Sequence, residues 1–205
     1  MIRWLALTAL LVLAAPARAD EPCCGPITAQ GQKLATFLDG TGVDHLWMSG
    51  WHVDWQTGKA DRGEPGGGAA HTHCSGFVAA IAQREDIYIL RPPDHPQQLL
   101  ANAQMRWLTL SGAQTGWLLV AGEQEAQSLA NRGFFVVASY ENPDPHKPGH
   151  IAIVRPSLKS AADLAADGPE ITQAGGHNYI STTLKNGFRG RRAHVLFFGH
   201  EMPVP

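Results

Sequence analysis

The chain has 205 residues, of which 44% are hydrophobic and 17% are charged. This length suits one domain with a sizeable core, or two small ones, and the composition excludes a disordered protein. The 16 basic and 18 acidic residues give a net charge of -2 without a basic stripe, which argues against a nucleic-acid binder. Three cysteines are too few for a disulfide scaffold.

Residues 1–19 have the organisation of a secretory signal peptide. Arg3 precedes an apolar run from Trp4 to Ala15, and the small-x-small sequence Ala17-Arg18-Ala19 follows. The run is shorter than the about 20 residues that cross a bilayer, and no later apolar run reaches that length. We therefore expect cleavage near Ala19, no membrane span in the mature chain (residues 20–205), and a secreted or periplasmic location.

Cys23 and Cys24 follow this segment directly. Export permits a disulfide, but a vicinal bridge is strained because the usual Cα separation exceeds one peptide step. The pair could instead bond another chain, or one of them could bond Cys74. Among these alternatives we expect a pair of terminal thiols near a frayed end.

Helical patterns come first along the rest of the chain and β-rich patterns come later. Helices are predicted at residues 27–39, 74–84, 96–110 and 123–132, with Gly40 and Gly133 as stops. Strands are predicted at 134–140, 150–154, 170–174 and 193–198, with a short extended segment at 88–90 and an irregular glycine-rich loop at 63–68. This order indicates an α+β fold with an antiparallel sheet rather than βαβ units.

Cys74 lies at the start of the second predicted helix, on the same face as Phe77, Val78 and Ile81. The positive end of a helix stabilises a thiolate, and Gly76 allows a close approach to the helix. Two other interpretations stay open. Cys74 could be a buried core residue, or it could join His71 and His73 in a metal site, although no fourth ligand is evident.

The segment Cys-Ser-Gly-Phe-Val from Cys74 to Val78 resembles the nucleophile helix of NlpC-type cell-wall cysteine peptidases and of the related CHAP amidases, which are papain-like. The segment Gly-His-Ile-Ala-Ile-Val from Gly149 to Val154 is similar to the strand that carries the catalytic histidine in those families. An Asp usually precedes the cysteine in the NlpC-type pattern, where this chain has His73. The resemblance implies a papain-like domain over residues 20–205, with a thiol nucleophile at Cys74 and a base at His150.

The resemblance also implies a third group, on the next strand, that orients the histidine. Gln173 is our first choice because its carbonyl oxygen can hold the ring without adding charge, and Asn178 and His177 are the alternatives. An oxyanion site would use the Cys74 backbone N–H with a further donor near His73. Trp51, His52 and Trp55 lie where the resembling enzymes have such a donor, and the tryptophans could instead line a substrate groove or belong to the core.

The resulting hypothesis is an exported cysteine amidase or peptidase that cuts amide bonds in peptidoglycan stem peptides through a thioester, without a cofactor. Residues 92–133 exceed what a minimal NlpC-type domain needs, and we expect them to be a helical insertion that shapes specificity. The alternatives are a non-catalytic wall-binding or ligand-binding module on the same fold, and a periplasmic metal-binding protein using His71, His73 and Cys74. The sequence says nothing of the oligomeric state.

Overall fold

The computed structural model describes residues 22–62 and 72–203. The predicted signal peptide, the predicted loop at 63–68 and His71 lie outside these residues. The described helices are α1 (Ala29–Asp39), α2 (Cys74–Arg84), α3 (Leu100–Leu110), α4 (Glu123–Arg132), α5 (Ala161–Asp167) and α6 (Leu184–Phe188). The described strands are β1 (His52–Val53), β2 (Ala60–Arg62), β3 (Leu118–Val120), β4 (Phe135–Tyr140), β5 (His150–Val154), β6 (Glu170–Gln173), β7 (Tyr179–Thr183) and β8 (Leu196–His200).

Six of these strands form one antiparallel sheet in the order β3-β8-β4-β5-β6-β7. Strands β1 and β2 form a separate two-stranded ribbon. The fold is α+β with an antiparallel sheet, which confirms the fold class predicted from the sequence.

The central strands β4 and β5 are buried along almost their whole length because helices cover both faces of the sheet. In β4, Phe135 and Val137 pack into the hydrophobic cluster that contains α2 and α3. Val136 and Ala138 point the other way, into the cluster that contains residues of α4 and α6. Adjacent residues of a strand face opposite sides, so a strand buried on both sides has no polar alternation.

The bounds predicted for α2, α4 and β5 are confirmed, and Gly133 ends α4 with φ +94°. The first helix begins at Ala29 because the Thr28 side chain caps it by accepting a hydrogen bond from the Gly31 N–H at 3.1 Å. The helix predicted from residue 96 begins only at Leu100, because Leu99 has the left-handed backbone φ of +53°.

Several strand predictions were wrong in detail. The strand predicted at 193–198 runs over Leu196–His200 instead, because Arg192–His194 form a short 3-10 helix. The segment 88–90 belongs to no strand, while β3 and β7 were not predicted. Both lie at the edges of the sheet, where each strand pairs with only one neighbour.

Residues 92–133, predicted to be a helical insertion, contain α3 and α4 with strand β3 between them. Ala101, Met105 and Leu108 of α3 are buried in the cluster around α2. Ala126 and Ala130 of α4 are buried in the cluster on the opposite face. The segment thus supplies core residues to both faces of the sheet.

The expectation for Cys23 and Cys24 was wrong, because the two residues are bonded to each other. Their segment is anchored rather than frayed: the Cys23 N–H donates to the Lys159 carbonyl at 2.9 Å, and Cys24 is buried. The Asn131 side chain also donates to the Gly25 carbonyl at 3.1 Å. These bonds hold the segment against the rest of the fold and leave Cys74 as a free thiol.

Within residues 22–62 and 72–203, none of the helices combines the length and the apolar character that a membrane span requires.

Candidate active site

Cys74 is the first residue of α2 and is only 4% exposed. Phe77, Val78 and Ile81, which the sequence put on its face of the helix, are fully buried. Burial extends over the whole of residues 74–82, so α2 is a core helix and not an amphipathic surface helix. This packing fixes the position of the thiol, which lies at the helix N-terminus as predicted.

His150 is the first residue of β5 and pairs with Tyr140 of β4. Gly149 precedes it at a point where the chains are very close: a Cβ there would lie 2.2 Å from the Tyr140 carbonyl oxygen and 2.4 Å from Asn102 Oδ1. Only glycine fits this approach. The Phe188 ring of α6 lies 4.7 Å from the imidazole, centroid to centroid, and holds the ring from another side.

Gln173 is the last residue of β6 and is 5% exposed. His150 Nε2 donates a hydrogen bond to Gln173 Oε1 at 2.9 Å. The amide cannot be reversed without loss, because Gln173 Nε2 donates to the His177 carbonyl at 3.1 Å. The hydrogen on Nε2 leaves Nδ1 as the imidazole nitrogen that faces the thiol.

Cys74 and His150 each shift the pKa of the other in the direction that favours charge separation. Burial raises the pKa of Cys74. The hydrogen bond and charge of His150, together with hydrogen bonds from the N–H groups of Ile151 and Ser75, lower this pKa by more than burial raises it, so the net shift is downward. Burial lowers the pKa of His150, while Cys74 and then Gln173 raise it and Arg191 opposes them, for a net upward shift. The two shifts together favour a thiolate beside an imidazolium.

The alternative third residues do not orient His150. Asn178 Oδ1 accepts from the Gly175 N–H at 2.9 Å, and Asn178 Nδ2 donates to the carbonyls of Val43 and Leu46, each at 2.8 Å. Asn178 therefore ties the loop after α1 to the sheet. The His177 carbonyl accepts from Gln173 Nε2, and His177 also lines the cavity beside His150.

The predicted oxyanion and substrate residues lie on the other side of Cys74. His73 is 8% exposed, and its Nε2 donates to the Trp51 carbonyl at 2.8 Å. Trp51 itself lines a cavity beside the start of α2. Trp55 packs behind the helix, where its Cβ is 3.4 Å from the position that a Gly76 Cβ would take. Gly76 thus admits Trp55 on one side and lines the cavity on the other.

Two cavities lie near Cys74, one beside His150 and the other beside His73 and Ser75. The first, of about 350 Å³, is lined by His150, Gln173 and the segment around Arg189 and Arg191. The second, of about 590 Å³, is lined by Trp51, His73, Ser75, Gly76, Gln97 and Leu99 among others. Thr72 and Pro148 line both, so the two cavities adjoin.

Sequence reasoning missed Gln97 in the second cavity and the two arginines in the first. Gln97 Nε2 donates to the Val53 carbonyl at 3.5 Å, and its amide is one of the polar groups on that wall. No spacing in the sequence relates these residues to Cys74 or His150, because they come from loops that only the folded sheet brings near. The one sequence signal for Arg189 and Arg191 was the cluster of three arginines at residues 189–192.

The described residues do not form the metal site that the sequence left open as an alternative. His73 hydrogen-bonds to Trp51, and Cys74 is paired with His150. His71 is not among the described residues, and within those residues no cluster of three or more His, Cys, Asp or Glu side chains has metal-binding geometry.

Comparison with protein-family models finds no family that matches this chain. Comparison with curated proteins likewise finds no match.

Proposed function

We propose that this protein is a cysteine hydrolase in which Cys74 is the nucleophile, His150 the general acid and base, and Gln173 the residue that orients His150. The observation that carries the proposal is the position of His150, whose Nε2 donates to Gln173 Oε1 at 2.9 Å and whose imidazole interacts with the Cys74 thiol. A nucleophile, a base and an orienting group within hydrogen-bond reach of one another are the set that covalent acyl transfer needs.

The chemistry follows from the protonation states. The Cys74 thiolate attacks the carbonyl carbon of an amide, and the carbonyl oxygen becomes an oxyanion. His150 Nδ1 then gives its proton to the leaving nitrogen as the C–N bond breaks, which leaves a thioester on Cys74 and releases an amine. Water attacks the thioester, His150 takes its proton, and a carboxylic acid and the thiolate–imidazolium pair result. Gln173 accepts from Nε2 throughout and keeps Nδ1 directed at the reacting atoms.

The papain-like fold and the peptidoglycan substrate belong to this proposal. A nucleophile at the start of α2, a histidine opening β5 and an amide on the adjacent β6 follow the order that the NlpC-type and CHAP resemblance implies. The signal-peptide pattern in residues 1–19 supports export to the compartment that holds the cell wall. Together they favour amide bonds of stem peptides as the substrate class.

The experiment compares the mature protein with Cys74→Ala and Cys74→Ser on purified muropeptides and on whole sacculi. New amine groups and cleaved fragments are followed by chromatography and mass spectrometry. We expect activity from the wild type alone, together with a trapped acyl adduct of Cys74 when the reaction is quenched in acid. Equal activity of the wild type and Cys74→Ala would refute the assignment of the nucleophile.

The 4% exposure of Cys74 favours a second candidate, a non-catalytic binding module on the same fold. Such a module predicts slow alkylation of Cys74 by iodoacetamide near neutral pH, as for a buried ordinary thiol. The hydrolase predicts rapid alkylation whose apparent pKa is below that of a free cysteine. The rate of alkylation between pH 4 and pH 10 therefore separates the two functions without a substrate.

A further inference from the structure

The cavity beside His150 has a positively charged lining. Of its described lining residues, Lys147, Arg189 and Arg191 are cationic, and Asp and Glu are not represented among them. Asn186 and Tyr179 add hydrogen-bonding groups to the same wall. A concave site with one sign of charge attracts ligands of the opposite sign.

The two arginines are available to a ligand, while Lys147 is engaged. Lys147 Nζ lies 3.3 Å from Asp144 Oδ2, which offsets its charge. Arg191 has its guanidinium over the Tyr140 ring at 5.4 Å, and within residues 22–62 and 72–203 neither Arg189 nor Arg191 forms an ion pair. Both side chains are exposed, and Arg191 is near enough to His150 for its charge to act on the imidazole.

The segment that carries the arginines is fixed to the catalytic residues. It follows α6, in which a Cβ at Gly187 would lie 2.5 Å from Gln173 Oε1. Phe188 of the same helix contacts the His150 ring. Arg189 and Arg191 are therefore presented next to His150 by a helix that is packed against the site.

The chemistry assigns this cavity to one side of the scissile bond. His150 protonates the leaving nitrogen, so the leaving amine must lie on the His150 side of Cys74. The cavity with Trp51 and Gly76, on the other side, is left for the acyl portion. Guanidinium groups pair well with carboxylates because two N–H donors match two oxygens.

We propose that the cavity lined by Arg189 and Arg191 is a subsite for a carboxylate on the amine portion of the substrate, so that the enzyme prefers amides whose leaving group carries a free carboxylate over amidated ones. This inference rests on the proposed cysteine hydrolase, and it adds a specificity determinant to that function.

The test first uses alkylation of Cys74, which needs no peptide substrate. Iodoacetate and iodoacetamide react by the same displacement and differ in charge, so the ratio of their rates cancels changes in thiolate reactivity. A unit charge acting over about 6 to 8 Å at an effective dielectric constant of about 40 to 80 changes a rate by about two- to tenfold. We expect the iodoacetate-to-iodoacetamide ratio to fall by that factor in Arg189→Gln and in Arg191→Gln.

Arg132→Gln is the matched control, because Arg132 is an exposed arginine that lines a different cavity, beside Cys23 and Cys24. Its ratio should equal that of the wild type. An unchanged ratio in both Arg189→Gln and Arg191→Gln would overturn the carboxylate subsite while leaving the hydrolase intact. Failure of both reagents to label wild-type Cys74 would instead refute the hydrolase, and the subsite with it.

The second arm uses muropeptides with free carboxylates and the same muropeptides after chemical amidation. We expect the wild type to cleave the free form with a higher kcat/KM, and the double variant Arg189→Gln, Arg191→Gln to lose this preference by a rise in KM for the free form. Equal kcat/KM of the wild type for the two forms would contradict the proposal.

Discussion

Gln173→Ala tests the central hydrogen bond of the proposed site. Gln173 Oε1 accepts from His150 Nε2 at 2.9 Å, and the side chain is 5% exposed, so water does not readily replace the lost acceptor. A hydrogen bond to a charged group contributes about 1.5 to 3 kcal/mol. If this bond stabilises the imidazolium and its orientation in the transition state, kcat/KM should fall by about 10- to 150-fold.

The pH profile separates orientation from general damage to the fold. Gln173 raises the pKa of His150, so its removal should lower that pKa and move the basic limb of the kcat/KM profile to lower pH. An imidazolium that loses its proton more easily also stabilises the thiolate less, so the pKa of Cys74 should rise and the acidic limb of the profile should move to higher pH. The active range becomes narrower from both sides. Gln173→Glu keeps an acceptor and adds charge, so its basic limb should move to higher pH.

Asn178→Ala is the control, since Asn178 is a neighbouring amide that binds the loop carbonyls of Val43 and Leu46 and not the imidazole. It should lower the free energy of unfolding without moving either limb of the profile. The assay is kcat/KM on a muropeptide between pH 4 and pH 10, with thermal unfolding of each variant. A Gln173→Ala profile that superimposes on the wild-type profile would refute the orienting role.

Three further predictions test the packing around the site. Gly187→Ala should lower kcat/KM by about 10- to 100-fold, because its Cβ would lie 2.5 Å from Gln173 Oε1. Gly40→Ala is the control and should have wild-type kinetics, because its Cβ would make only ordinary contacts, the nearest at 3.6 Å from the Phe37 carbonyl oxygen. Asn131→Ala should lower the free energy of unfolding in urea by about 3 to 5 kcal/mol, because the buried side chain makes four hydrogen bonds; a loss below about 1 kcal/mol would contradict this role. Titration of the denatured, unreduced protein should find one thiol, that of Cys74, and a titre of three would exclude the disulfide.

Local patterns determined the elements that carry Cys74 and His150, the proposed nucleophile and base. The bounds of α2 and β5 match the prediction because small and apolar residues follow Cys74 without interruption, and β-branched residues follow His150 between a glycine and a proline. These signals depend on the backbone preferences of neighbouring residues. They therefore do not depend on contacts with distant residues.

The sequence could predict only part of the choice among Gln173, Asn178 and His177. The two-residue period of a strand put Gln173 on the same face as Ile171, and a Cβ at Gly187 would meet both side chains. That period could not say which face meets His150. The answer depends on how β6 aligns with β5, where Ile153 pairs with Thr172.

The sequence by itself determined the fold class, the helix that begins at Cys74 and the strand that begins at His150, because each follows from short-range spacing. Tertiary structure alone decided that Asn178 binds a loop, that Lys159 and Asn131 anchor the segment of Cys23 and Cys24, and that Arg189 and Arg191 line the cavity beside His150. Those outcomes depend on contacts between residues far apart in the chain. Such contacts are selected by the packing of the whole sheet and its helices, which no local pattern records.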